Sequence, residues 1–472
     1  MDRPLELDAD ERRALASDAL AALERIRDRR ARGDAFTPAD PAVIRTLLEP
    51  PPMLGEPAAD VLDRFVSAAT VGWDKTAAGS YAFIPNGALD SGVIAVLLAA
   101  GAHGFTGAAF EAPALVALED SVLRWLASLF GFPDGSGGLF LSGGSLANQT
   151  AIVTARERSS DRDGATMYVS GRVHHSVTKA ARLAGLDATA IRIVGTDDVG
   201  RLDAFALRAA IAEDRAAGRS PFLVVGTAGS TDTGAIDPLP ELAEIAAEAG
   251  AWFHADAAYG GFFQMTERGR ARLAGIERAD SITVDAHKGL FLPYGVAALL
   301  VRDPRALVEA HEGSGAYLRD VPQVGGLPHY FERGPELTRP FRGAAIWFPL
   351  HLHGTAPFAR ELDRMLDLAE RAHAALAAIR GIEVGPSPAT SIVTFRAAAG
   401  DAATERIVAA LHATGRLQVS TTSLDGRVTV RFAFLSPKAT DERLDEAIEV
   451  VAASVASSGD RGGQSMTGAT AR

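Results

Sequence analysis

Two short stretches decide the fold: residues 254–262, HADAAYGGF, and residues 283–290, TVDAHKGL. Asp256 in the first stretch and Lys288 in the second each follow a short apolar segment that is typical of a buried strand. An isolated Asp or Lys is usually a solvated surface charge. Here small residues surround both charges, so we predict that Asp256 and Lys288 lie at the ends of two neighbouring buried strands.

Repeated strand–helix units surround these two stretches. Strand-like segments alternate with helical patterns from residue 139 to residue 301, which predicts a mostly parallel central sheet with helices on both faces. Ligands of such sheets bind beyond the carboxyl ends of the strands. The polar clusters of this region follow strand-like segments, so we expect them to meet at one edge of the sheet.

An acid and a lysine at neighbouring strand ends suit a pyridoxal 5'-phosphate (PLP) site. In such a site the lysine holds the cofactor as a Schiff base, and the acid pairs with the pyridinium nitrogen. Gly144 and Ser145 follow another strand-like segment and would open a helix whose free N–H groups can bind a phosphate. Taken alone, this Gly-Ser motif is equally typical of a helix cap without a ligand. It is not a nucleotide P-loop, because no Gly-Lys-Ser/Thr follows.

The composition excludes several function classes. The chain has 472 residues and a formal net charge of −12, which argues against nucleic acid or an anionic membrane as a partner. It contains no cysteine, so disulfides, thiolate zinc sites and cysteine nucleophiles are excluded. Its charged first residues lack the apolar core of a signal peptide, and no uncharged apolar run is long enough to cross a bilayer. We expect a cytoplasmic protein.

Helical periodicity and Pro/Gly content divide the chain into four parts. We predict an N-terminal helical arm (1–75), a large cofactor-binding domain (76–355), a small C-terminal α+β domain (356–456) and a disordered tail (457–472). The apolar stripe of the arm is expected to pack on its own subunit or on a second one. Residues 310–340 are rich in Gly and Pro and weakly periodic, which is typical of a functional lid or of disorder.

Four motifs in this order resemble one family. HADAAYGGF, the Ser-x-Thr-x-Asp-x-His-Lys run that ends at Lys288, LSGGSLAN and VGTAGSTDTGAID look like those of the group II PLP-dependent amino-acid decarboxylases. The resemblance covers about residues 81–450. It implies a fold-type-I PLP enzyme that acts on an amino acid, releases CO2 and an amine, and forms a homodimer with shared active sites. It does not identify the substrate.

The resemblance also implies roles for individual residues. Lys288 would carry the cofactor, Asp256 would pair with the ring nitrogen, and His174 would stack on the ring, with the adjacent His175 as the alternative. We expect His254, two residues before Asp256 and on the same side of the strand, to be a packed neighbour rather than a catalytic group. The remaining positions implied to bind the cofactor are Gly144, Ser145, Thr231, Ala258 and His287.

Three further residues are implied to act on the substrate. Tyr330 would return a proton after CO2 leaves, with Tyr317 as the alternative, because the family motif fits around Tyr330 only with a gap. Arg431 would approach the substrate carboxylate, although a strand-surface arginine is an equal interpretation. Asn86 would face the substrate.

Several alternatives stay open. The same fold and cofactor serve oxidative decarboxylation to an aldehyde, transamination and retro-aldol C–C cleavage. A protein with this fold that only binds its ligand or regulates a partner belongs to a different class, and the presence of Lys288, Asp256 and His174 argues against it.

Overall fold

The computed structural model describes residues 5–31, 34–159, 161, 164–313 and 322–460, with side chains described up to residue 456. The strands in these ranges are β1 (Phe36–Thr37), β2 (Gly72–Trp73), β3 (Gly137–Leu141), β4 (Ala165–Ser170), β5 (Ile191–Val194), β6 (Ser220–Thr227), β7 (Trp252–Asp256), β8 (Ser281–Val284), β9 (Ala297–Val301), β10 (Ile382–Val384), β11 (Ile392–Ala397), β12 (Ser420–Leu424) and β13 (Arg427–Ala433). The helices are α1 (Ala9–Ala31), α2 (Pro41–Leu47), α3 (Ala58–Ala69), α4 (Asp90–Ala102), α5 (Pro113–Leu129), α6 (Gly144–Glu157), α7 (His175–Leu183), α8 (Ala204–Ala216), α9 (Leu239–Ala249), α10 (Glu267–Arg272), α11 (Ala286–Gly289), α12 (Arg305–His311), α13 (Ala344–His353), α14 (Ala356–Ala377), α15 (Asp401–Ala413) and α16 (Asp441–Asp460).

The centre of the molecule is a seven-stranded sheet in the order β3-β9-β8-β7-β6-β4-β5. All its neighbours pair in parallel except β9, which runs antiparallel to β3 and β8. The prediction of a mostly parallel α/β sheet is therefore confirmed. Strand β9 follows β8 through a twelve-residue segment that contains the four-residue α11 and Lys288.

Burial explains why these strands form the centre. Every residue of β3, β4, β8 and β9 is buried, as expected for strands covered on both faces. Helix α9 ends at Gly250, whose left-handed backbone (φ 64°) lets the chain turn directly into β7. The carboxyl ends of β4, β6, β7 and β8 consequently open at one edge, next to the start of α6.

A second, antiparallel sheet in the order β10-β11-β13-β12 carries the C-terminal part of the chain. Helices α14 and α15 pack against it, which confirms the predicted small α+β unit. Strands β10 and β12 carry no clear strand pattern in the sequence, because the first is only three residues long and the second, STTSL, is rich in hydroxyl groups. The predicted domain boundaries at 75/76 and 355/356 stay predictions.

The ends of the chain differ in part from expectation. Helices α1 and α3 pack together around a separate small apolar cluster of Ala22, Ile26 and Val66. Helix α16 reaches Asp460, so residues 457–460 of the predicted disordered tail are helical, and residues 461–472 lie outside the described ranges. No helix in the described part of the chain combines the length and apolarity that a membrane span requires.

Candidate active site

A cavity of about 290 Å³ opens at the carboxyl ends of the central strands, where the sequence predicts the site. The structure brings eight of the predicted site residues together on its wall, namely Gly144, Ser145, His174, Thr231, Asp256, Ala258, His287 and Lys288. Its other lining residues include Ser142, Gly143, Asn148, Ser176, Thr227, Gly229, Tyr259, Asp285, Tyr294 and Gly295.

Lys288 is presented to this cavity by the short helix α11. Its Nζ lies 2.7 Å from Asp285 Oδ2, and about a quarter of the side chain is exposed. Asp285 is almost fully buried, and its second oxygen, Oδ1, has no hydrogen-bond partner in the described part of the chain. Position 289 must be small, because a Cβ on Gly289 would lie 2.5 Å from Phe262 Cβ. The close packing of α11 against Phe262 thus fixes the position from which the Lys288 side chain extends.

Asp256, at the end of β7, is held by α6 and by its own turn. Asn148 Nδ2 of α6 donates to Asp256 Oδ2 at 2.9 Å, and the N–H of Ala258 donates to Oδ1 at 3.2 Å. His254 is fully buried, as expected for a packed neighbour. Its Nε2 lies 3.0 Å from Asn148 Oδ1 and its Nδ1 lies 2.8 Å from Ser281 Oγ.

These contacts form a chain of hydrogen bonds with one direction. Trp252 Nε1 can only donate, and it does so to Ser281 Oγ at 2.8 Å. Asn148 Oδ1 can only accept, so His254 carries its proton on Nε2 and accepts from the Ser281 hydroxyl on Nδ1. Burial lowers the pKa of His254 to about 4, which keeps the ring neutral near pH 7. The chain, which we call the Asp256 relay, runs from Trp252 through Ser281, His254 and Asn148 to the carboxylate.

His174 caps the start of α7 from the other side of the cavity. The backbone N–H of Ser176 donates to His174 Nδ1 at 3.3 Å, and the Ser176 hydroxyl lies 2.7 Å from the same nitrogen. The neutral ring therefore carries its proton on Nε2. Burial, followed by the nearby charges of His175 and Lys288, lowers the pKa of His174 to about 4. His175 is exposed, which distinguishes the two histidines.

The first turn of α6 forms a concave wall of backbone. A Cβ at Gly144 would lie 3.0 Å from Ala258 Cβ and 3.1 Å from Asp285 Oδ1, so a side chain there would fill the cavity. The first N–H groups of a helix have no partner within the helix, and they carry the positive end of its dipole. Gly144 and Ser145 at this position, together with Thr231, suit an anionic group such as a phosphate.

His287 and Asn86 are structural neighbours of this cavity. His287 Nδ1 lies 2.9 Å from the carbonyl oxygen of Val296, and burial lowers its pKa. Asn86 lies outside the cavity lining and donates to the carbonyl oxygens of His287 and Leu292, the latter at 2.8 Å. Its amide therefore ties the 80–87 loop to the lysine segment, and its predicted contact with substrate stays a prediction.

Arg431 of β13 is buried beside the cavity rather than on its wall. Its guanidinium donates to the carbonyl oxygens of Asp232 (2.8 Å), Phe83 (3.4 Å) and Thr231, and to Ser420 Oγ (3.0 Å). These neutral acceptors link the small sheet to the loop that carries Thr231. Burial lowers the pKa of Arg431.

Tyr330 is not in the cavity. Its ring is fully buried under the guanidinium of Arg339, 4.8 Å from the ring centroid, and Arg339 in turn pairs with the buried Glu119. Its hydroxyl has no hydrogen-bond partner among the described residues, and burial raises its pKa well above the ordinary 10. The alternative, Tyr317, lies outside the described residues.

Sequence reasoning missed Asn148, Ser176, Asp285 and Tyr294. A signal existed for two of them: Asn148 follows Gly144 by one helical turn, and Asp285 precedes Lys288 by three residues. Ser176 and Tyr294 carried no comparable signal, because their positions depend on how the loops after β4 and before β9 fold back.

Comparison with known proteins decides the family. A family model described as "Pyridoxal-dependent decarboxylase conserved domain" matches residues 78–398. The chain belongs to the PLP-dependent decarboxylase family. It is a PLP-dependent carboxy-lyase, and its cofactor is pyridoxal 5'-phosphate.

Relatives of this decarboxylase differ in the substrates that their names state. An aromatic-L-amino-acid decarboxylase of Bacillus atrophaeus is 36% identical over 374 residues, which is 77% of this chain and 78% of the relative. An L-2,4-diaminobutyrate decarboxylase of Rhizobium meliloti is 35% identical over 354 residues, or 72% of this chain and 70% of the relative. The crystal structure of Oryza sativa TDC with PLP and tryptamine has a TM-score of 0.90 and 25% identity, and covers 97% of this chain and 100% of that one.

The residues of the decarboxylase cavity fit this cofactor. A primary amine at Lys288, a buried carboxylate at Asp256 and a concave helix start at Gly144 are the three groups that the aldehyde, ring nitrogen and phosphate of PLP require. The tight contacts that a Cβ at Gly144 would make, and the buried Asp285 oxygen that has no partner among the described residues, suit a wall that faces a bound polar group. The site thus has the chemistry that the family match implies.

Proposed function

We propose that this enzyme converts an L-amino acid to the corresponding amine and CO2 in the Lys288 cavity. The observation that carries the proposal is the meeting of Lys288, Asp256 and His174 in one cavity, from three separate strand–helix units. When bound, PLP withdraws the electron pair that remains on the α-carbon after a bond breaks. The protein's part is to bind, orient and handle protons.

In this proposal the Asp256 relay holds the charge that faces the cofactor ring nitrogen. The Asn148 amide and the Ala258 N–H fix both carboxylate oxygens, so Asp256 stays in one orientation. A carboxylate opposite the ring nitrogen favours the protonated ring, which is the better electron acceptor. Lys288 holds the cofactor and releases it to the substrate amine. The α6 start, with Gly144 and Ser145, anchors the phosphate.

His174 is proposed to cover the ring face. Its neutral imidazole can stack on an aromatic system without adding a positive charge. The contact of Ser176 with Nδ1 leaves the Nε2–H as its remaining donor. A donor at this point would bind and orient the carboxylate of the substrate.

The proton returned to the α-carbon is proposed to come from a tyrosine of residues 310–340. Tyr330, the residue predicted by resemblance, is buried beneath Arg339, and its hydroxyl has no hydrogen-bond partner in the described ranges. A buried phenol with a pKa raised well above 10 is a poor donor near pH 7. This burial favours Tyr317, and Tyr→Phe variants at the two positions separate them.

We further propose that the enzyme is a homodimer that acts in the cytoplasm. Helix α4 exposes three consecutive apolar side chains, Val96 (46%), Leu97 (60%) and Leu98 (54%). Contiguous exposed apolar surface is typical of an interaction site. The absence of cysteine from the sequence suits a reducing compartment. Sedimentation equilibrium tests the dimer directly, since a monomer at micromolar concentration contradicts it.

The test of the function is product analysis by mass spectrometry. The PLP-loaded enzyme is incubated with the twenty protein amino acids, L-2,4-diaminobutyrate and L-DOPA, and Lys288→Ala is the control. Release of CO2 with formation of the matching amine, absent in the control, supports the proposal and names the substrate. An aldehyde formed with oxygen consumption, a keto acid, or a retro-aldol fragment contradicts simple decarboxylation and identifies the chemistry that replaces it.

A further inference from the structure

A lysine other than Lys288 stands at the mouth of the cavity. Lys75 Nζ lies 5.6 Å from the ring centroid of Phe83 and 5.7 Å from that of Tyr294. Tyr294 lines the cavity, and its ring lies 5.6 Å from that of His287. Tyr294 (62%) and Phe83 (50%) are both well exposed, so the ammonium group lies beside two aromatic rings at the exposed edge of the site.

Lys75 has no anionic partner among the described residues, since none of their carboxylate oxygens lies within 4.0 Å of Nζ. The adjacent Asp74 is engaged elsewhere: it accepts from the N–H and hydroxyl of Thr76 at 2.9 and 2.8 Å and lies 3.8 Å from Arg30. The side chain of Lys75 is half-buried, so water screens it only in part. Aromatic faces attract a cation but do not neutralise it.

Arg431, a buried cation beside the cavity, cannot take the place of Lys75. Four of the five N–H groups of the Arg431 side chain donate to Thr231, Asp232, Phe83 and Ser420 and hold the group in place. The ammonium group of Lys75 is a point charge with three donors on a flexible aliphatic chain, whereas the planar guanidinium of Arg431 is held in one orientation. Lysine is also rare in this chain: only four of the 47 Lys and Arg residues are lysine, at positions 75, 179, 288 and 438.

We propose that Lys75 selects the substrate by its side chain: it pairs with an anionic group at the far end of the amino acid and disfavours a basic one. Phe83 and Tyr294 flank the aliphatic part of the substrate side chain. This inference rests on the proposed decarboxylation for its chemistry, but the pairing itself requires only that an anion reach the mouth of the cavity. It assigns acidic amino acids as the preferred class and places diaminobutyrate among the poor substrates.

A role on the departing carboxylate is the competing explanation, and energetics argue against it. An ion pair with the α-carboxylate stabilises the substrate before CO2 leaves and is lost afterwards, which opposes the reaction. Binding energy from the remote end of a substrate carries no such penalty. The two roles also differ in outcome, because loss of a partner for the α-carboxylate weakens all amino acids alike.

Kinetics with matched substrates test the selection. L-glutamate, the isosteric L-glutamine and the cationic L-2,4-diaminobutyrate are compared in wild type, Lys75→Met, Lys75→Glu and the control Lys438→Met, which removes an exposed lysine that does not line the cavity. We expect wild type and Lys438→Met to favour glutamate over glutamine in kcat/KM by about tenfold or more, which is the effect of a charge-assisted hydrogen bond. We expect Lys75→Met to remove this preference through KM, and Lys75→Glu to shift it toward diaminobutyrate. A uniform loss on all three substrates overturns the proposal.

A binding measurement keeps this proposal separate from the catalytic one. Isothermal titration of the PLP-loaded enzyme with glutarate and with butyrate compares a dicarboxylate and a monocarboxylate that cannot react. We expect wild type to bind glutarate at least about tenfold tighter than Lys75→Met does, with butyrate unchanged. Equal glutarate binding by the two proteins overturns the role of Lys75 even if CO2 is released. Retained discrimination with no CO2 from any amino acid overturns the proposed decarboxylation alone.

Discussion

The Asp256 relay makes a graded prediction about Asn148. Asn148→Ala removes the amide that donates to Asp256 Oδ2 at 2.9 Å and accepts from His254 Nε2 at 3.0 Å. Two buried polar groups then lose a partner at once. Each orphaned group costs about 1–3 kcal/mol, so we expect unfolding free energy to fall by about 2–6 kcal/mol.

The end of the relay supplies a matched control. Trp252→Phe removes only the terminal donor, and the Ser281 hydroxyl still donates to His254 at 2.8 Å. No buried donor is orphaned, so we expect a loss of about 1–2 kcal/mol from one hydrogen bond and the smaller ring. The position of a residue along the relay, rather than its size, should then set the cost.

Urea unfolding without PLP and again with excess PLP measures both effects. The midpoint without cofactor reports the fold, and the difference between the two midpoints reports cofactor affinity. We expect Asn148→Ala to lower the urea midpoint without cofactor. We also expect it to reduce the difference between the two midpoints, because Asp256 loses the donor that orients it. An Asn148→Ala cost below about 1 kcal/mol, or one no larger than that of Trp252→Phe, would refute the relay as a connected network.

Three further predictions concern single residues. Tyr330→Phe removes a hydroxyl that has no hydrogen-bond partner among the residues that the structure describes, so we expect stability within about 1 kcal/mol of wild type and little change in kcat; a loss of amine formation would show that Tyr330 enters the cavity. Burial lowers the pKa of His254 from 6.5 to about 4. Between these pH values the unfolded chain therefore binds a proton on His254 that the folded chain does not. We expect roughly 3 kcal/mol of stability to be lost as pH falls from 6.5 to 4, and wild type and His254→Gln with parallel pH profiles in urea would contradict this. Asp256→Ala should lower kcat by several orders of magnitude at saturating PLP, whereas a change of only a few-fold would exclude its role opposite the ring nitrogen.

The central sheet and the cavity wall were predictable because they obey local rules. Apolar strands followed by small and charged residues locate Asp256 and Lys288, and the rule that strand ends converge brings His174 and Thr231 to the same edge. A Gly-Gly-Ser sequence after a strand places Gly144 at a helix start on the same edge. None of these inferences needed the path of a long loop.

The substrate side depends on how distant loops fold, which sequence patterns do not encode. The amide of Asn86 donates to and accepts from backbone groups. The guanidinium of Arg431 donates to a carbonyl oxygen of a neighbouring loop. Tyr330 fits a motif by spacing, yet the buried pair of Arg339 and Glu119 draws it into the core. For each of these residues the sequence indicated the chemistry of the side chain but not its position in the fold.

Chemical trapping of the cofactor tests the central claim most directly. The PLP-loaded enzyme is treated with borohydride, which fixes the cofactor covalently to the amine that holds it, and the peptides are analysed by mass spectrometry. With only four lysines in the chain, the assignment is unambiguous. We predict the label on Lys288 alone, with both label and CO2 release absent from Lys288→Ala. A label on Lys75, Lys179 or Lys438, or CO2 release by Lys288→Ala, would contradict the account.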